Sequence, residues 1–162
     1  DVYVAQIAMG ANMTQTVKAF HEAAAHPGPS LIIAYSPCIA HGIDMTKMMD
    51  HQKLAAATGY WPLFRFDPAR EMAGDHGLHL DSRPPTTPFR EFARSEGRFA
   101  SLARADSETA QRLFDAAQSD IDNRWHLYEQ MVNVERVASY SDLDTEDAHH
   151  GEPTATNAGA ET

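Results

Sequence analysis

Cysteine is almost missing from this chain: its 162 residues include one, Cys38. One cysteine excludes an internal disulfide framework, and a reducing cytoplasm is the compartment that fits. Nor can one cysteine by itself build a zinc or iron–sulfur site, which needs about four ligands. Long apolar runs are lacking too. Nothing approaches the roughly 20 apolar residues of a membrane-spanning helix, so no membrane role is expected. No signal-peptide pattern opens the chain, because the first apolar stretch is broken by Gln6 and Gly10. Positive charge is scarce. Thirteen Lys and Arg stand against 23 Asp and Glu, a formal charge of −10 that argues against a nucleic-acid partner. Beyond Tyr140 there is no Lys or Arg, but six acidic residues: Asp142, Asp144, Glu146, Asp147, Glu152 and Glu161. That end has almost nothing to bury, so 137–162 is predicted to be a disordered acidic tail, with His149 and His150 inert in it. A glycine-rich phosphate loop is absent as well. Gly10-Ala11-Asn12 lacks the glycine pattern such loops need and reads as a plain strand-to-helix turn.

What is present suits a globular α/β domain over 1–136, with 43% hydrophobic and 22% charged residues. Val2 to Met9 is rich in β-branched and aromatic residues and reads as a strand ended by Gly10. Asn12, with Gln15 three residues on, predicts a helix N-terminus. Val17, Phe20 and Ala24 then share one helical face, and His26-Pro27-Gly28 stops the helix. Leu31 to Tyr35 is an apolar run without alternation, as in a parallel strand covered on both faces. Strand, helix and strand make a βαβ unit. Pro37 ends the second strand, leaving Cys38 just past its carboxyl end, the edge where open α/β sheets bind ligands.

A second helix is expected from Asp44 or Thr46 to Thr58, with Gly59 following its last turn. Met45, Met48 and Met49 could line a cofactor pocket, but core filling is the default reading of such a cluster. Tyr60 to Phe66 reads as a strand, with Pro62 implying an edge or first-residue position. Residues 67–88 read as a long irregular segment. Its His76, His79 and Asp81 match no common metal spacing and are taken as solvated. Phe89 and Phe92 mark the buried side of a short helix over 88–96. Asp106 or Ser107 caps a long helix over 107–133, where Trp125 and Tyr128 could stack on a ligand but read first as core or interface anchors.

Composition alone leaves Cys38 undecided, since a lone cysteine is most often a small buried or half-buried hydrophobe. The surrounding sequence says more. Val-Tyr-Val-Ala-Gln-Ile-Ala-Met-Gly-Ala-Asn at 2–12, His-Pro-Gly-Pro-Ser-Leu-Ile-Ile-Ala-Tyr-Ser-Pro-Cys-Ile-Ala-His-Gly at 26–42 and Gly-Tyr-Trp-Pro-Leu-Phe-Arg-Phe-Asp-Pro at 59–68 resemble the pyruvate:ferredoxin (flavodoxin) oxidoreductases. Leu-His-Leu-Asp-Ser at 78–82 and Asn-Arg-Trp-His-Leu-Tyr-Glu at 123–129 fit the same family.

The resemblance covers about 1–136. It implies the C-terminal part of a thiamine-diphosphate-binding domain: a partial parallel sheet with flanking helices, half of that domain. It also implies that Cys38 is one metal ligand, the last thiolate of a [4Fe–4S] cluster whose other ligands lie upstream. His41 is a candidate to tune that cluster from the same turn. Thiamine diphosphate and magnesium would belong to the full-length enzyme, as would pyruvate, coenzyme A, a ferredoxin or flavodoxin partner and a homodimeric state. The chain itself has no Gly-Asp-Gly motif for magnesium and diphosphate. With no initiator Met, it is expected to be a piece inactive alone. The competing reading is a non-catalytic α/β module that assembles through its Trp/Tyr helix.

Overall fold

The structure is a computed structural model that describes residues 1–134; the acidic segment, with His149 and His150, lies outside the described residues. Four strands form one sheet in the order β2–β1–β3–β4. Strand β1 is Tyr3–Ile7, followed by helix α1, Met13–Ala25, and strand β2, Ser30–Ala34. The side chain of Asn12 accepts from the Gln15 N–H and starts α1 as the sequence indicates. Strands β1 and β2 pair in parallel, from Tyr3 opposite Ser30 to Ile7 opposite Ala34. This is the expected βαβ unit.

The rest of the sheet departs from an all-parallel one. Strand β3, Phe64–Phe66, runs antiparallel to β1, and β4, Leu78–Leu80, runs antiparallel to β3. A short apolar run reads the same in either direction, so only the connections set its sense. Pro62 is neither at an edge nor in the ladder: it precedes β3, and its carbonyl accepts from Gln6 Nε2 at 2.7 Å. The segment expected to be irregular holds β4 and a short helix α3, Pro68–Met72, capped by Asp67. Gly59, with φ of 70°, follows helix α2, Met48–Ala57, as its chemistry requires.

Helix α4, Phe89–Arg94, α5, Gly97–Ala105, and α6, Ser107–Val132, close the described chain, with Asp106 capping α6. Helix α5 is not legible in the sequence. Phe89, Phe92 and Ala93 are buried with Ala55 of α2 and Ile121 of α6, and Tyr35, Tyr60, Trp61 and Phe114 pack around them. Tyr60 stacks on Phe92 at 4.5 Å between ring centroids. Trp125 is buried and donates to Glu129 at 2.7 Å, and Tyr128 lies against Phe64 of β3. Both serve as core anchors. A second cluster joins Tyr3, Ala5 and Ile7 of β1 to Ala19 of α1, with Ile32 beside them.

Three expectations about burial are corrected. Strand β2 is not covered on both faces: it is an edge strand, and Leu31 and Ile33 are exposed because α1 covers only the opposite face, where Ile32 points. Val17 and Phe20 likewise face away from the sheet on α1, while Gln15, Thr16 and Ala19 are the buried side. Met45, Met48 and Met49 are exposed rather than core filler; what approaches the sheet there is the Met49 backbone, so close to Gly10 that a Cβ on Gly10 would lie 2.5 Å from the Met49 carbonyl oxygen.

Charge ties α1 to the sheet. The Arg65 guanidinium on β3 is buried and donates to both Glu22 oxygens at 2.6 and 2.7 Å and to both Asp81 oxygens at 2.8 Å. Tyr3 donates to Glu22 at 2.9 Å. Burial works to raise the Glu22 carboxyl, but the hydrogen bonds from Arg65 and Tyr3 outweigh it and hold the group below its ordinary value. The Tyr3 phenol is pushed up by burial and by its bond to Glu22.

Arg65→Ala strands two carboxylates and is expected to cost about 3–5 kcal/mol, read as a lower urea midpoint. Because the folded Glu22 value is depressed, its contribution is present above the unfolded value of about 4.3 and lost as pH falls through the folded one. Glu22→Gln should flatten the acid limb of the stability curve; an unchanged limb counts against this network.

Candidate functional site

The carboxyl end of β2 hands the chain to the turn that carries Cys38. Tyr35 still donates its N–H to the Ile7 carbonyl at 2.9 Å, and Pro37 ends the ladder two residues later. Cys38 is exposed, with extended backbone angles of −120° and 131°, and it precedes a single 3₁₀ turn, Ile39–His41. The His41 N–H donates to the Cys38 carbonyl at 3.0 Å and the Gly42 N–H to the Ile39 carbonyl at 2.9 Å. Gly42 then takes the left-handed conformation, φ 70°, and turns the chain towards α2. The thiol is therefore presented outward on a closed, short turn at the end of a strand, where the sequence places it. It is free and has no side-chain hydrogen bond there.

No group of three or more His, Cys, Asp or Glu side chains that could hold a metal ion occurs among the described residues. Cys38 thus offers one soft donor and no more. His76, His79 and Asp81 do not form a site. His76 is exposed, His79 Nε2 lies 3.3 Å from Asp81 Oδ1, and Asp81 is taken up by Arg65. His41 shares the turn with Cys38 and is half-buried.

Behind the turn lies a polar cluster that sequence reasoning missed. Glu96, between α4 and α5, is fully buried. One of its oxygens lies 3.1 Å from Nε2 of the buried His51 on α2, and the other accepts from Arg98 Nε. The Tyr35 hydroxyl is 3.1 Å from the same His51 nitrogen and 3.5 Å from Glu96 Oε1. Burial, followed by the Glu96 charge, pushes the Tyr35 phenol above its ordinary value. The next residue, Gly97, donates its N–H to the Gly42 carbonyl at 3.2 Å, with the two glycine backbones in direct contact. No sequence signal pairs His51 with Glu96, because they sit 45 positions apart on different helices.

No family model matches the chain. Individual relatives do. Over 133 residues, 82% of this chain, it is 49% identical to the pyruvate-flavodoxin oxidoreductase of Rhodospirillum rubrum. It is 44% identical over 133 residues to that of Nostoc, and 45% identical over 131 residues to the pyruvate:ferredoxin oxidoreductase of Moorella thermoacetica. The chain matches one segment of these pyruvate-flavodoxin and pyruvate:ferredoxin oxidoreductases. It spans 11% of the length of each of these three relatives. Within this segment, the Cys38 turn and the Glu96 cluster behind it are the candidate site. Among the described residues no helix is long and apolar enough to cross a membrane.

Glycine at 42 meets two demands, a positive φ and contact with Gly97. A Cβ there would stand 2.9 Å from the Gly97 Cα, whereas one on Gly74, also left-handed at φ 81°, meets nothing within 4 Å. Gly74→Ala should cost about 1–2 kcal/mol. Gly42→Ala should cost more, because backbone must also shift; equal losses of thermal stability would mean the close contact does not constrain the turn.

Proposed function

We propose that the chain is the part of a pyruvate:ferredoxin or pyruvate:flavodoxin oxidoreductase that supplies one thiolate, Cys38, to a [4Fe–4S] cluster, within the C-terminal part of the thiamine-diphosphate-binding domain. The observation that carries this reading is the free, outward-facing thiol at the carboxyl end of β2, in a chain 44–49% identical to such oxidoreductases. A thiolate on a short turn after a strand fits an iron–sulfur cluster, which is held chiefly by cysteine sulfur. The remaining ligands would come from elsewhere in the full protein.

The full-length protein would convert pyruvate and coenzyme A to acetyl-CoA and CO₂, acting as a homodimer in the cytoplasm, and this segment alone would be inactive. Thiamine diphosphate, with magnesium, would supply the decarboxylation chemistry, and the cluster would accept electrons singly for the ferredoxin or flavodoxin. This chain's own task is narrower. Strand β2 and the Gly42 turn set the direction of the Cys38 sulfur, and backbone N–H groups of the 39–42 turn are candidates to donate to cluster sulfur, with His41 beside them.

Exposed Leu31 and Ile33 on β2, with Val17 and Phe20 on α1, support packing against the rest of that domain. The alternative, a non-catalytic assembly module built on the Trp/Tyr helix, has less support, since Trp125 and Tyr128 are engaged inside the chain. The 162-residue chain should bind a hydrophobic dye and self-associate, whereas the full-length homodimer should bind no dye and associate no further. A clean, dye-silent monomer of the short chain would sink the packing argument.

Cys38→Ser in the full protein replaces a soft thiolate with a harder oxygen donor. Iron content should fall or the cluster's EPR signal should shift, and carrier reduction should slow while first-turnover CO₂ release persists. Unchanged iron, signal and carrier reduction would make Cys38 an ordinary surface thiol.

A further inference from the structure

The Cys38 turn has two flanks, and both are held by the same two residues. Upstream, Tyr35 leaves β2 with its hydroxyl 3.1 Å from His51 Nε2 and 3.5 Å from Glu96 Oε1. Downstream, the Gly42 carbonyl accepts from the Gly97 N–H at 3.2 Å. Residues 96 and 97 therefore bracket the segment 36–41 that carries the thiol.

The hydrogen-bond partners assign the protons in this cluster. Ser95 Oγ lies 2.6 Å from the Phe92 carbonyl, which can only accept, so the single hydroxyl proton of Ser95 is spent there. Ser95 Oγ then accepts from His51 Nδ1 at 3.1 Å, which places a proton on Nδ1. On the other side of the ring, Nε2 faces Glu96 Oε1 at 3.1 Å. Glu96 has no exposure to water, and the Arg98 guanidinium occupies its other oxygen. A buried carboxylate with so many partners has one position open to it: moving it would take a partner from His51, Tyr35 and Arg98 together.

We propose that Glu96 is a positioning residue for the Cys38 turn, holding its upstream flank through His51 and Tyr35 and its downstream flank through the adjoining Gly97–Gly42 contact. Its consequence for electron transfer rests on Cys38 being the cluster ligand; its effect on the turn does not. Glu96 touches no reacting group. It acts by limiting where the sulfur can be, and a cluster ligand displaced by a fraction of an ångström changes the bonding at iron.

Hydrogen exchange on the full protein tests this residue by residue. In Glu96→Gln, exchange at the His41, Gly42 and Gly97 amides should rise at least about tenfold relative to the Ala5 and Gln6 amides of β1. Tyr35→Phe keeps the ring and removes only the hydroxyl, so it should loosen His41 and Gly42 while Gly97 stays protected. In the cluster-loaded full protein, Glu96→Gln should keep its iron but broaden the cluster's EPR lines. Exchange unchanged at the turn in both variants overturns the proposal. So does an equal rise throughout β1, which would make Glu96 a general stabiliser. If Cys38→Ser leaves the cluster intact while turn exchange responds to Glu96 as described, the ligand reading fails and the positioning role stands.

Discussion

A carboxylate shut off from water must be surrounded by donors, and satisfying Glu96 organises the candidate site. Its partners come from three places: His51 from α2, Tyr35 from the exit of β2, and Arg98 from the first turn of α5. Leaving a buried charge with a missing partner costs several kcal/mol, which makes the arrangement all-or-none rather than adjustable. The Gly42–Gly97 contact depends on that arrangement, because Gly97 follows Glu96 directly and only glycine allows the backbones to meet.

Arg65 plays the corresponding part on the other side of the sheet. It sits on the central strand β3, surrounded by Glu22 from α1 and Asp81 just after β4. Each polar cluster joins a strand to elements distant in sequence. The aromatic cluster around Phe92 fills the space between α2, α4 and α6 but does not reach over β2. The chain thus combines a well-packed helical end with an uncovered sheet edge, and the candidate site lies at the junction of the two.

Local structure was largely legible in the sequence because it obeys local rules. Asn12 as a cap, Gly59 after α2, Pro37 as a strand stop, Phe89 and Phe92 as buried positions, and α6 from Asp106 onward follow from backbone sterics and hydrophobic spacing, which need no knowledge of the rest of the fold. The position of Cys38 just past β2 was legible for the same reason, and the sequence around it carried the family resemblance. Strand direction, the exposure of β2 and of the Met45–Met49 stretch, helix α5 and the small strand β4 were not. An apolar residue states a preference for burial but not whether a covering element exists.

Sequence alone determined the α/β class, the first βαβ unit, the single thiol at a strand end and its kinship to the oxidoreductases. Tertiary structure alone decided the mixed sheet and the two buried ion clusters. His51 and Glu96, like Arg65 and Asp81, are ordinary polar residues in sequence, and their pairing depends on helices and strands meeting in space. Electrostatic and hydrogen-bonding energy depends on distance and on exclusion of water, and both are set only when the chain has closed around them.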